Sequence, residues 1–244
     1  MTGQANSDVI RLAIVGHVDH GKSTLIGRLL QETGSLAAGV MDKARASAGG
    51  RNGLELAFIT DHFAEERDQE RTIDASQVFF RHAGRHYVVI DTPGHPEFLR
   101  NMFSGASRAD AALMVIDAAH GVERQTVAHG HVLGLLGVRR VIPVLNKMDR
   151  IAWSQARFEE VAADTRTLLA GMGIEALAAV PISALHGDNI RDSSSHIPWY
   201  GGPSLLRALE FRRRMYADAN ANRRLLPLSL RKAKSAKARR SWRG

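Results

Sequence analysis

Ile10-Arg11-Leu12-Ala13-Ile14-Val15 runs directly into Gly16-His17-Val18-Asp19-His20-Gly21-Lys22-Ser23-Thr24, and this junction decides the fold. The first six residues read as a buried strand. Leu25, Leu29 and Leu30 then fall on one face of a following helix. A glycine-bounded loop between strand and helix lets successive backbone N–H groups wrap phosphates, because side chains at Gly16 and Gly21 would obstruct the approach. The helix N-terminus behind the loop adds partial positive charge. In this pattern Lys22 is placed to bridge the β- and γ-phosphates, Ser23 to ligate Mg²⁺ through its hydroxyl, and Thr24 to reach the α-phosphate.

Two further runs give the loop a specific ligand. Asp91-Thr92-Pro93-Gly94-His95 follows the apolar stretch Tyr87 to Ile90, which puts the Asp91 carboxylate at the carboxyl edge of a sheet, where open α/β folds bind ligands. Asp91 is expected to hold Mg²⁺ through water. Gly94 leaves its N–H open to the γ-phosphate, and His95 is placed to orient an attacking water. Asn146-Lys147-Met148-Asp149 follows Val141 to Leu145, 55 positions beyond Asp91. There the Asp149 carboxylate can accept from guanine N1–H and the 2-amino group, donors that adenine lacks. Lys147 would lie along the base, and Asn146 would tie this turn to the phosphate loop. Ser183-Ala184-Leu185, after Ala178 to Ile182, would add a backbone N–H to guanine O6. The three runs together imply GTP with Mg²⁺ and hydrolysis of its terminal anhydride. Thr72 is the candidate that closes over Mg²⁺ and the γ-phosphate. From spacing alone it reads equally well as a β-former entering residues 72–80.

The rest of the chain is organised around the same sheet. Strands are expected at Ile10 to Val15, Gln77 to Phe80, Tyr87 to Ile90, Ala112 to Ile116, Val141 to Leu145 and Ala178 to Ile182. Strands separated by helix-length segments predict an α/β fold, a mostly parallel sheet with helices on both faces. Gln77 to Phe80, Ala83-Gly84 and Tyr87 to Ile90 read as a hairpin, giving one antiparallel edge strand. Phe98 with Met102 marks one helix. Phe158, Val161, Thr165, Leu168 and Leu169 mark another, and Pro203 to Glu210 the last, with proline in its first turn. The long segment Gln31 to Glu70 has the length of a lid or switch.

Composition sets the outer limits. The chain of 244 residues, 44% hydrophobic, supports one full core, expected over residues 1–210. Without cysteine it forms no disulfide and no thiolate zinc site, and the other histidines lack metal-ligand spacing. The polar N-terminus lacks the features of a signal peptide, and no apolar run approaches a bilayer span, so a soluble, cytoplasmic protein is expected. The net charge of +8 is unevenly placed. Residues 211–244 hold 12 Lys or Arg against Asp218 alone, a charge of +11, which leaves −3 on the remainder. That basic tail is expected to be disordered, and it is able to bind polyanions.

At these motifs the chain resembles the translation-factor-type GTPases, the superfamily of elongation factor Tu, elongation factor 1-alpha and the GTPase subunit of sulfate adenylyltransferase. The likeness spans Val9 to Glu210. Glu97-Phe98-Leu99-Arg100-Asn101-Met102, Ser104-Gly105-Ala106, Leu135-Leu136-Gly137-Val138, Gly187-Asp188-Asn189-Ile190 and Pro198-Trp199-Tyr200-Gly201-Gly202-Pro203 lean toward the sulfate-activating branch. Elongation factor 1-alpha shares the last two. The resemblance implies a P-loop GTPase domain whose partner is a sulfate-adenylylating subunit, with the ribosome and tRNA as the partners of an elongation-factor-like alternative. It also exposes two departures. Glu70-Arg71 stands where the family has Gly-Ile before the switch threonine, and only a basic tail follows Glu210 where the family continues into β-barrels, so a GTPase domain alone, a truncated product, is a further alternative.

Overall fold

The computed structural model describes residues 9–36, 77–91 and 109–210. Its strands are β1 (Val9–Val15), β2 (Gln77–His82), β3 (Arg85–Asp91), β4 (Ala111–Asp117), β5 (Arg140–Asn146), β6 (Glu175–Ala176) and β7 (Val180–Pro181). The helices are α1 (Lys22–Glu32), α2 (Arg124–Leu135) and α3 (Gln155–Gly171), with residues 205–210 also helical. The strands form one sheet in the order β2-β3-β1-β4-β5-β6, and β7 also pairs with β5. Only β2 is antiparallel to its neighbour. The expected antiparallel edge is therefore present. It closes through Ala83 (φ 47°) and Gly84 (φ 72°), the two left-handed positions that a tight hairpin requires.

The apolar runs seen in the sequence become the centre of the sheet. Every residue of β4 is buried, as are the last four of β1 and the last six of β5. Alternation then sorts them by face. Ala13, Val15, Ala112, Met114 and Ile116 share a core with Val132 and Leu133 of α2 and with Phe158, Val161 and Leu169 of α3. Leu12, Ile14, Leu113 and Val115 are equally buried and point the other way. Helix α1 buries Leu25, Ile26, Leu29 and Leu30, none of which belongs to the core shared with α2 and α3.

Two expectations need correction, and one short strand is an addition. The strand predicted over Ala178 to Ile182 is reduced to Val180–Pro181, because alanines 178 and 179 offer little side chain to a pleated surface and Pro181 has no N–H for the ladder. The two-residue β6 was not anticipated. Pro203 precedes the final helix, which begins at residue 205, and its carbonyl accepts from the Tyr200 hydroxyl at 3.3 Å.

The 198–203 segment has a structural task in the fold. Trp199 and Tyr200 pack on Phe158 of α3, with ring centroids 5.2 and 5.8 Å away. The Trp199 indole N–H donates to the Trp153 carbonyl at 3.2 Å, and the Tyr200 hydroxyl to Ala179 at 3.0 Å. Burial pushes the Tyr200 phenol up to about 12. By its contacts the chain divides into residues 1–206 and 207–244. The basic tail from 211 onward and the helix marked by Phe98 and Met102 lie outside the described residues.

Candidate functional site

Every strand that leads to a predicted motif ends at one edge of the sheet. Ile14, one residue before the end of β1, is in register with Asp91, the last of β3, and Asp117 is in register with Asn146. Beside Leu145 runs Pro181, two positions before Ser183. The loops that follow therefore open on the carboxyl rim, the position where parallel α/β sheets hold ligands.

The phosphate loop is shaped by two steric facts. A Cβ on Gly16 would collide with the Val115 carbonyl oxygen, and one on Gly21 (φ 85°) would lie 2.6 Å from Asn146 Nδ2. Only glycine lets the loop lie this close to β4 and to the turn after β5. Val18–His20 forms a single 3-10 turn, and α1 starts at Lys22, immediately after Gly21. The Lys22 side chain curls back under the loop. Its ammonium donates to the Gly16 carbonyl at 2.7 Å and to His17 at 3.0 Å, and the residue is 6% exposed. Val18 and Asp19 are exposed, while His17, Ser23 and Thr24 are half-buried. The loop thus sets the Lys22 ammonium at the N-terminus of α1, a combination whose charge suits a polyphosphate.

Asn146 ties the loops together. Its Nδ2 donates to the His20 carbonyl at 2.9 Å, and its Oδ1 accepts from Ala184 N–H at 2.9 Å. One buried amide thereby joins the phosphate loop, the turn after β5 and the Ser183-Ala184-Leu185 loop. Met148 N–H adds a bond to the Ile182 carbonyl at 3.1 Å. Because Ala184 N–H is engaged by Asn146, the donor expected for guanine O6 narrows to Leu185. Lys147 adopts a left-handed conformation (φ 62°) that turns its side chain back across the loop. Its ammonium reaches Asp117 Oδ2 at 2.8 Å and the Asp19 carbonyl. Burial alone would raise the Asp117 pKa, but the Lys147 bond, the Ala119 N–H and the Lys147 and His120 charges together bring it below the ordinary value. Asp149 presents a buried Oδ1 that no described residue satisfies. An unpaired carboxylate oxygen beside these anchored loops has the acceptor chemistry that a guanine edge requires.

Beneath the loop lies a pair of histidines with opposite circumstances. The His20 ring sits between the Val115 carbonyl (3.2 Å from Nδ1) and Glu123 Oε2 (3.0 Å from Nε2), linking the loop to the start of α2. Burial carries its pKa below the ordinary value, while the Val115 carbonyl and Glu123 pull it up and His17 pushes it down. His129 of α2 is 5% exposed, its ring facing the Gly16 backbone without a well-formed hydrogen bond. Burial, then the Lys22, His17 and His20 charges, lower its pKa to about 4 against the weaker upward pull of the Gly16 backbone.

That depression has a consequence for stability. Between pH 6.5 and 4 the unfolded chain binds a proton at His129 that the folded chain does not, so folding weakens on acidification. The contribution is about 1.4 kcal/mol per pH unit, or about 2 kcal/mol between pH 6.5 and 5. Urea unfolding of His129→Leu is expected to show a correspondingly smaller loss over that interval than the unaltered chain. Identical slopes would show that His129 does not titrate this way.

Thr72, Gly94 and His95 lie outside the described residues, and of Asp91 only the backbone position is described. The Ser23 hydroxyl on the first turn of α1 and the carboxylate that Asp91 carries are hard oxygen ligands, and the backbone of Asp91 ends β3 in register with Ile14, two residues before the phosphate loop. This set suits Mg²⁺, which keeps several waters and takes few protein ligands. Three described residues escaped the sequence reading: Asp117, Glu123 and Arg28, the last of which bonds to the 183–185 loop. Asp117 alone carried a signal, being a charged residue closing the uniformly apolar run Ala111 to Ile116.

Comparison with known proteins agrees with this geometry. The family model described as the elongation factor Tu GTP binding domain matches residues 7–217. Elongation factor 1-alpha of Pyrococcus furiosus is 40% identical over 201 residues, covering 82% of this chain and 47% of its own length. A structure of sup35 complexed with GDP superposes with a TM-score of 0.59 at 28% identity, covering 83% of this chain and 44% of that one. The GTPase-like domain of S. cerevisiae Ski7 shares the fold, with a TM-score of 0.67 at 19% identity over 85% of this chain and 50% of its own. The chain spans about half the length of the curated relatives it matches. On the family match and this identity together, the chain belongs to the elongation factor Tu GTP-binding domain family, whose domains hydrolyse GTP.

Proposed function

We propose that this chain is the GTP-binding and GTP-hydrolysing part of an elongation-factor-type switch, working in the cytoplasm. The observation that carries the reading is Asn146, whose single side chain connects the phosphate loop to both loops proposed to read the base. Gly16 to Thr24 would cradle the phosphates, and Lys22 would leave the Gly16 and His17 carbonyls for the β- and γ-phosphates. Asp149 and Leu185 would select guanine. Ser23, Asp91 and Thr72 would hold Mg²⁺, which supplies charge neutralisation across the β- and γ-phosphates when bound. The chain's own contribution to the chemical step is positional: donors fixed around the γ-phosphate and His95 orienting water.

Hydrolysis is measured in a single turnover. His95→Ala is expected to leave GTP affinity within about twofold while slowing cleavage on the order of a hundredfold, the range of general positioning and proton-transfer effects. Unchanged cleavage would remove His95 from the mechanism. The relatives reported above favour the ribosome and tRNA as partners over a sulfate-adenylylating subunit. Stimulation of turnover by ribosomes supports that assignment, and stimulation by a sulfate-adenylylating subunit would overturn it in favour of the sulfate-activating branch.

A further inference from the structure

Arg28 stands on α1 two turns beyond the phosphate loop, yet its guanidinium is occupied with the opposite end of the site. Nε donates to the Ala184 carbonyl at 3.0 Å, and Nη2 donates to the Leu185 carbonyl. The rest of the group is held on its own helix, with Nη1 donating to Gln31 Oε1 at 3.0 Å and lying 3.9 Å from Glu32. Gly187 turns the chain beside it with a φ of 84°, a left-handed conformation that favours glycine. The Arg28 side chain is 15% exposed. A planar fork held on both sides is a rigid clamp.

The amides of this loop show what the clamp leaves available. Ser183 N–H donates to the Asp188 carbonyl, Ala184 N–H to Asn146, His186 N–H to Ser183 Oγ, and Gly187 N–H to the Ser183 carbonyl. Leu185 N–H has no acceptor among the described residues. It belongs to the peptide unit whose carbonyl Arg28 holds. In a planar trans peptide, carbonyl and N–H point in opposite directions, so fixing the Ala184 oxygen on the α1 side turns the Leu185 N–H away from α1. Asn146 meanwhile fixes the preceding peptide from the side of the base-reading turn.

We propose that Arg28 is a positioning residue for base recognition: from the phosphate-loop helix it aims the Leu185 amide at the six-position oxygen of the purine. The inference rests on the GTP reading above. It makes α1 a common reference for both ends of the nucleotide, with Lys22 and Ser23 at its start and the base loop held from its middle.

The test compares GTP with 2-aminopurine riboside 5′-triphosphate, which keeps the N2 amino group and the phosphates but lacks the oxygen at position six and with it the N1–H, so each variant's affinity for the analogue is read against that of the unaltered chain. Dissociation constants are taken by fluorescence titration with Mg²⁺ for the unaltered chain, Arg28→Met and Arg28→Lys. Loss of one aimed backbone donor corresponds to about tenfold. Arg28→Met is therefore expected to weaken GTP about tenfold while the analogue stays within about twofold. Arg28→Lys, able to hold one carbonyl, is expected to fall between, and it carries the comparison alone if the methionine variant does not fold. Equal weakening of both nucleotides would reduce Arg28 to a general structural role and overturn the proposal, as would no change in either. If the unaltered chain binds neither, the GTP reading itself fails; if it prefers GTP and the variants keep that preference, only the role of Arg28 fails.

Discussion

Lys22→Ala is expected to lower GTP affinity by at least a hundredfold. The ammonium is buried beneath the phosphate loop and donates to the carbonyls of Gly16 and His17. A bound triphosphate would offer it charged oxygens in place of those neutral carbonyls. Charge-assisted hydrogen bonds contribute about 1.5 to 3 kcal/mol each, and two of them account for the predicted loss or more. The side chain also packs inside the loop, so the variant's thermal unfolding should be followed in parallel. An unfolding temperature within a few degrees of the unaltered chain, with binding lost, assigns the effect to the ligand. Retained micromolar affinity would mean that the loop does not cradle a triphosphate.

Asp149→Asn is expected to exchange guanine for xanthine. The carboxylate accepts from two donors on the guanine edge. An asparagine replaces one acceptor with an N–H₂ group, which opposes the guanine 2-amino group and suits the carbonyl that xanthine has there. Two charge-assisted bonds of about 1.5 to 3 kcal/mol place the loss for GTP at about a hundredfold to ten-thousandfold, with xanthosine triphosphate gaining in its place. The structure adds a reason to expect little collateral damage. Asp149 Oδ1 has no partner among the described residues, so the exchange breaks no bond at that oxygen. Competition between the two triphosphates for the variant decides the matter. An unaltered preference for GTP would show that another group reads the base.

The parts of this site legible in the sequence are those where one residue type is forced by its immediate neighbours. Gly16 and Gly21 flank a loop that β4 and Asn146 approach too closely for any Cβ, and the strand before and helix after them follow from simple periodicity. The hairpin at Ala83-Gly84 was readable for a similar reason, since its two positive φ values are a local demand. What escaped the sequence depends on register. Asp117 is significant because β4 and β5 pair so that it lies opposite Asn146, within reach of Lys147 thirty positions on, and nothing local announces that alignment. Helix α2 was obscured by its own buried face, which carries Thr126, His129 and Gly130 among only two large apolar residues. Arg28 was hidden because a helical arginine ordinarily faces solvent, and its partners are backbone carbonyls, which every residue possesses.

Asn146 also makes the two ends of the site mechanically dependent. With one carboxamide bonded to the His20 carbonyl and to the Ala184 N–H, a shift of the cradle strains the 183–185 turn, and a shift of that turn strains the cradle.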